Sequence, residues 1–81
     1  MIMSRKVYVR ILAEFDIEGK VLPLSFKWED ESVYEIDRIN DICRAASLKA
    51  GGCGLRYTCM VRGRQVFLFL EEGNKWFVEG R

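Results

Sequence analysis

Apolar and polar residues alternate most clearly between positions 54 and 78, where the pattern predicts three β-strands joined by two tight turns. We interpret Gly63-Arg64 as a two-residue turn of type II′, with glycine at its first position, which places Cys59 opposite Leu68. In this register one face of the hairpin is apolar throughout, and its members are Tyr57, Cys59, Val61, Val66, Leu68 and Leu70. The first hairpin therefore predicts one wall of a hydrophobic core.

The second hairpin predicts the same core face. If residues 72–74 form a three-residue loop, with Asn74 in the left-handed conformation that asparagine tolerates, Trp76 lies opposite Leu70. Val78 then falls on the same side as Trp76. A shift of one residue in either hairpin would turn its apolar side chains toward solvent. The agreement between the two registers is the strongest structural evidence in the sequence.

Two further strands and the start of a third are predicted in the first half of the chain. Strict alternation from Lys6 to Phe15 indicates one long strand, and residues 17–20 supply a turn. The side chains expected on one side of the next strand are Leu22, Leu24, Phe26 and Trp28. Pro23 cannot donate a hydrogen bond to a neighbouring strand, so it indicates either an edge strand or a bulge. After a polar turn, the third strand begins at Val33.

The segment 37–50 fits two structures. Its apolar positions have the helical spacing i, i+3, i+4 and i+7, at Ile39, Ile42, Cys43 and Ala46. Asp37 would be the N-cap of this helix, and Gly51 would follow its last turn. In the other structure the segment is an extended strand, and a bulge near Asp37 or Arg38 brings Ile39 to the core. We predict the strand, because a barrel needs it to close, and the helix stays open as an α+β alternative.

Taken together, these segments predict a mainly β protein with one small domain over residues 1–81. The sequence contains no internal repeat, low-complexity run or linker that would divide it. We expect a single antiparallel barrel-like sheet of the SH3-like kind, since closure covers the core and limits the exposed strand edges.

Composition narrows the chemistry that this domain can perform. The 13 basic and 12 acidic residues give a formal net charge of +1, far from the balance of a general nucleic-acid binder. Histidine, the commonest metal ligand and general base, is absent. The three cysteines lack paired spacing, so we expect reduced thiols, no metal site and no cofactor. The N-terminal residues lack the apolar stretch of a signal peptide. The sequence thus predicts a cytoplasmic protein that is not an enzyme.

Four short motifs carry a resemblance to other proteins. They are FKW at residues 26–28, YEID at 34–37, ASLKAGGxGxRY at 46–57 and WFVE at 76–79. In this combination the chain resembles short bacterial proteins of unassigned function, a group of small β-domains with the GGxGxRY and WFVE pattern. The resemblance covers most of the chain. It implies a small β-domain, and it implies no activity, cofactor or site residue.

The outward face of the two hairpins is the candidate functional site. We expect a contiguous patch of apolar side chains there, with Met60 opposite Phe67 and Phe69 opposite Phe77. The basic residues expected near its border are Arg56, Arg62 and Arg64. This face is either a second core wall, covered by the N-terminal strand or by segment 37–50, or an exposed contact surface.

Two functions compete for an exposed patch of this kind. Aromatic side chains bordered by arginine are suited to stacking unpaired bases, so single-stranded nucleic acid is the alternative ligand. A protein partner, or self-association, is the preferred function, because the near-neutral charge and the nearby Glu71 and Glu79 would oppose contacts to phosphate. No membrane or metal partner is expected.

Overall fold

The computed structural model describes residues 5–46 and 53–80, which form eight β-strands and no helix. The strands are β1 Arg5–Tyr8, β2 Arg10–Phe15, β3 Val21–Lys27, β4 Val33–Glu35, β5 Arg38–Ala46, β6 Cys53–Val61, β7 Arg64–Glu71 and β8 Lys75–Gly80. The predicted mainly β class is confirmed. With no helix in the described ranges, none there is long and apolar enough to cross a membrane.

The strands are divided between two antiparallel sheets. The larger sheet has the order β1-β8-β7-β6-β5 and the smaller has the order β2-β3-β4. The predicted single barrel-like sheet is therefore wrong in this respect, and the described strands do not show the SH3-like closure. The long strand predicted from Lys6 to Phe15 divides at Val9, and its two halves pair with β8 and β3. The Val9 amide still donates to the Trp76 carbonyl at 3.1 Å, so the chain crosses from one sheet to the other at this residue.

Strand β5 decides between the two structures predicted for segment 37–50. It is extended from Arg38 to Ala46, so the helix is wrong there, and residues 47–50 lie outside the described part. Ile39 pairs with Cys59 and Asp41 pairs with Thr58, which leaves Asn40 as the extra residue of a bulge. The bulge lies two to three residues later than expected. It also accounts for part of the helical spacing, because it puts Ile39 and Ile42, three residues apart, on the same face, while Cys43 points the other way.

The hairpin between β6 and β7 corrects the predicted turn. Arg62 and Gly63 are its central residues, and both have positive φ, at 51° and 76°. This is the pattern of a type I′ turn, where the predicted type II′ turn lay one residue later. Cys59 consequently faces Val66 instead of Leu68. The register differs from the predicted one by two residues, and since side chains alternate with period two, the same apolar set still points inward.

The second hairpin has the predicted register. Leu70 pairs with Trp76, and Asn74 has a φ of 61° in the three-residue loop. The bulge that Pro23 indicated is also present in β3. Ala13 pairs with Pro23 while Leu12 pairs with Ser25, so Leu24 is the extra residue and is 41% exposed. Leu24 therefore does not share the buried face of Phe26, contrary to the predicted alternation.

The hydrophobic core lies between the two sheets. Phe26 of β3 packs against buried side chains of the larger sheet, namely Tyr57, Cys59, Val61, Leu68, Trp76 and Val78. The Tyr57 hydroxyl donates to the Val21 carbonyl at 2.6 Å, which links the sheets by a hydrogen bond as well. The opposite face of the larger sheet is the outward face, and the candidate site lies there.

Candidate functional site

One row of side chains crosses the outward face of the larger sheet. Each member pairs directly with the next across neighbouring strands, in the order Tyr8, Phe77, Phe69, Arg56 and Cys43. Successive side chains of a strand point to opposite faces of the sheet. The apolar neighbours of these residues along each strand point into the core, so the residues of the row point to the outward face. We call Tyr8, Phe77 and Phe69 the aromatic row.

The rings of the aromatic row pack on one another. Phe69 and Phe77 are stacked, with centroids 4.8 Å apart and planes at 5°, and Tyr8 meets Phe77 edge to face at 5.7 Å. Phe77 in the middle is only 2% exposed, whereas Tyr8 is 53% exposed. Phe67, two residues before Phe69 on the same face of β7, is 39% exposed. The row therefore has a buried centre, an exposed end at Tyr8 and a half-buried end at Phe69, with the exposed Phe67 beside it.

Charged groups hold one end of the row. The Tyr8 hydroxyl donates to Glu71 Oε1 at 2.6 Å, and Lys6 Nζ lies 3.5 Å from Glu71 Oε2. Lys6 Nζ also lies 4.7 Å from the centroid of the Phe77 ring. The hydrogen bond from Tyr8 lowers the pKa of Glu71, and the same bond raises the pKa of Tyr8. This end of the face thus carries both signs of charge.

Arg56 occupies the other side of the face. Its guanidinium carbon lies 5.3 Å from the centroid of the Phe67 ring, within the range of a cation–π contact. Its Nε atom is buried and makes no hydrogen bond in the described part of the structure. Phe67 pairs with Thr58, and Met60 pairs with Gln65, so the predicted Met60–Phe67 pair is wrong because of the two-residue change of register.

Arg62 and Arg64 do not border this face. Arg62 lies in the hairpin turn with its guanidinium carbon 4.6 Å from the Tyr34 ring, and Arg64 pairs with Val61 on the core side. Both line an opening of about 450 Å³ between the sheets, which we call the inter-sheet groove. Its other lining residues are Phe26, Trp28, Tyr34, Val61, Val66 and Val78. The shifted turn is the reason that the two arginines were placed on the wrong face.

Neither segment proposed to cover the outward face does so within the described residues. Strand β1 pairs with β8 at one edge of the larger sheet, and β5 pairs with β6 at the other edge. Both lie in the sheet and not over it. Five of the seven predicted site residues share the outward face: Met60, Phe67, Phe69, Phe77 and Arg56. Tyr8 joins them unforeseen, because its pairing with Phe77 depends on residues about 70 positions apart along the chain.

The thiols whose environment is described are unpaired. Cys43 is half-buried and free, and Cys59 is buried and free. Burial raises the pKa of the Cys59 thiol to about 11, which keeps it protonated and unreactive near neutral pH. The side chain of Cys53 lies outside the described part. Within the described residues no group of three or more cysteine, aspartate or glutamate side chains is placed to hold a metal ion.

Comparison of the chain with protein-family models, with curated proteins and with solved structures found no match.

Proposed function

We propose that this protein is a non-catalytic interaction module whose outward face binds a second copy of the same chain. The observation that carries the proposal is the aromatic row with Phe67 beside it, on a sheet face that no described strand covers. Exposed apolar side chains grouped on one sheet face, such as Tyr8 and Phe67, often mark a contact site. The free thiols of Cys43 and Cys59 support a cytoplasmic location, where thiols stay reduced.

Mixed charge favours a protein over a polyanion as the ligand. Lys6 and Arg56 lie on the outward face together with Glu71 and Glu79. A strand of nucleic acid would meet these carboxylates with its phosphates, whereas a protein surface can pair with both signs. The net charge of +1 adds little long-range attraction for nucleic acid.

The same charges favour a second copy as the partner. In a two-fold dimer each residue meets the counterpart of another residue, so a face that carries both signs can complement itself. A chain of 81 residues also gains from association, because a domain of this size buries only about 60–65% of the surface of its unfolded chain. Packing the outward faces together would bury Phe67 and the open ring of Tyr8.

The test replaces Phe67 by serine and compares it with Phe15→Ser. Both phenylalanines are exposed, at 39% and 73%, but Phe15 belongs to the smaller sheet. We expect a concentration-dependent dimer for the wild type in sedimentation equilibrium, and a dimer dissociation constant raised tenfold or more by Phe67→Ser. Phe15→Ser should dimerise as the wild type does. A wild type that stays monomeric up to millimolar concentration would refute self-association.

Single-stranded nucleic acid remains the second candidate ligand, and one contact favours it. The Arg56 guanidinium beside the exposed Phe67 ring is an arrangement that can stack a base and contact its phosphate. Fluorescence anisotropy with a labelled oligothymidylate tests this. Salt-sensitive binding that both Phe67→Ser and Arg56→Gln abolish would replace the self-association proposal with nucleic-acid binding.

A further inference from the structure

The inter-sheet groove has an apolar aromatic interior and a basic mouth. The Phe26 and Tyr34 rings are stacked with centroids 5.4 Å apart, and Trp28 lies beside them in the lining. The groove has a volume of about 450 Å³, which is within the usual range for small-molecule sites. Arg62 and Arg64 both reach this opening from the β6–β7 hairpin.

The two arginines have no anionic partner among the described residues. Neither guanidinium lies within salt-bridge distance of a carboxylate there, and the recorded contact of Arg62 is the Tyr34 ring at 4.6 Å. Asp37 is close to the turn, but its Oδ2 accepts from the backbone amide of Arg62 at 3.0 Å. Two cations without a counter-ion among the described residues, beside an apolar opening, match a ligand with an anionic head and an apolar body.

We propose that the inter-sheet groove binds a small planar aromatic carboxylate. The ring system packs among Phe26, Trp28 and Tyr34, and the carboxylate accepts hydrogen bonds from Arg62 and Arg64, whose planar guanidinium groups suit carboxylate geometry. Asp37 beside the turn disfavours a longer polyanion, because its carboxylate weakens the positive potential near Arg62. This site is independent of the proposed function, since it lies on the core side of the larger sheet.

The test uses 2-naphthoate as the probe and its neutral analogue 2-naphthamide as the matched ligand. Titration is followed by heteronuclear NMR on the full chain. We expect saturable shifts of the Trp28 indole N–H and of Val66 and Val78, with 2-naphthoate binding at least tenfold more tightly than 2-naphthamide. The aromatic row on the outward face should not shift.

Arginine variants identify the anion-binding groups. Arg62→Asn keeps a residue that tolerates the φ of 51° in the turn, and Arg64→Gln keeps a polar side chain of similar length. The double variant should bind both ligands equally, with 2-naphthoate weakened tenfold or more. Arg44→Gln removes an exposed charge on β5 that does not line the groove, and it should change neither affinity.

Three results with the naphthalene ligands alone would overturn the proposal. They are equal affinity of the folded wild type for the two ligands, no saturable binding at millimolar concentration, and shifts that map to the aromatic row instead of the groove. Displacement of 2-naphthoate by an oligothymidylate at lower concentration would also overturn it, because the groove would then be a base-stacking site.

Discussion

Phenylalanine side chains in this protein range from fully packed to open, although all lie on strands. Phe77 is 2% exposed because Tyr8 and Phe69 cover it from both sides of its row, whereas Phe67 is 39% exposed and Phe15 73% exposed. Residue type and alternation assign each of them to a face. Their burial depends on the neighbouring strands, which alternation does not reveal. Phe77 therefore stabilises the packing within the face, whereas Phe67 is exposed and its substitution tests whether the face contacts a partner.

The Tyr8–Glu71 hydrogen bond predicts a pH dependence at the residue scale. The folded pKa of Glu71 is lowered, so the bond stabilises the fold above the ordinary carboxyl pKa and is lost as pH falls through the lowered value. The pKa of Tyr8 is raised, so its contribution is present below the ordinary tyrosine pKa and is lost as pH rises through the raised value. Tyr8→Phe should shift the Glu71 pKa upward in a carbon-detected NMR titration.

Stability measurements complete this test. The difference in unfolding free energy between the wild type and Tyr8→Phe should shrink as pH falls through the Glu71 pKa. Lys6 remains beside Glu71 in the variant, so the pKa of Glu71 should stay partly lowered. An unchanged Glu71 pKa in Tyr8→Phe would mean that the hydrogen bond is not formed in solution.

At the scale of strands and turns, the sequence predicted the faces better than the pairings. Alternation has period two, so the same side chains of β6 and β7 point into the core although their register differs by two residues from the predicted one. The bulges at Leu24 and Asn40 each add one residue and reverse the faces locally. Pro23 indicated the first bulge in the sequence, because proline has no backbone amide to donate. Asn40 carries no such signal, and its position became clear only from the pairing of β5 with β6.

Gly54 makes a prediction about the packing of β6 against β7. It belongs to strand β6, where an added Cβ would lie 2.6 Å from the Leu70 carbonyl oxygen. Gly54→Ala should force the backbones apart and cost about 1–3 kcal/mol in urea unfolding. Gly63→Asn is the control, because its φ of 76° suits asparagine and nothing lies within 4 Å of the added Cβ. Equal stability of Gly54→Ala and the wild type would show that β6 and β7 can separate without cost.

For the molecule as a whole, the sequence predicted a β-domain but not the division into two sheets. The crossing at Val9 lies inside an unbroken alternating run, so no local signal marks it. The β1–β8 pairing joins the two ends of the described chain, and local patterns do not encode such a contact. The residues of the candidate site were likewise predicted only in part. Its β7 and β8 residues followed from one well-defined hairpin, whereas Arg62 and Arg64 depended on the exact turn.

The link between the sheets gives the last prediction. Tyr57 is fully buried in the larger sheet, and its hydroxyl donates to the Val21 carbonyl of the smaller sheet at 2.6 Å. Tyr57→Phe leaves that carbonyl without this partner and should cost about 1–3 kcal/mol of unfolding free energy. Tyr34→Phe is the control, because the Tyr34 hydroxyl makes no recorded hydrogen bond within the described residues, and it should cost less than Tyr57→Phe.

Hydrogen exchange shows whether that cost is shared by both sheets. Phe26 of β3 belongs to the same buried cluster as Leu68 of β7, so opening the smaller sheet would expose the core of the larger one. Small domains with one continuous core usually unfold as a single cooperative unit. In Tyr57→Phe, the slowest-exchanging amides of β3 and β7 should therefore lose the same free energy of protection. A loss confined to β3 would show instead that the smaller sheet opens by itself. The Tyr57 hydrogen bond would then stabilise only the attachment of the smaller sheet to a larger sheet that is stable without it.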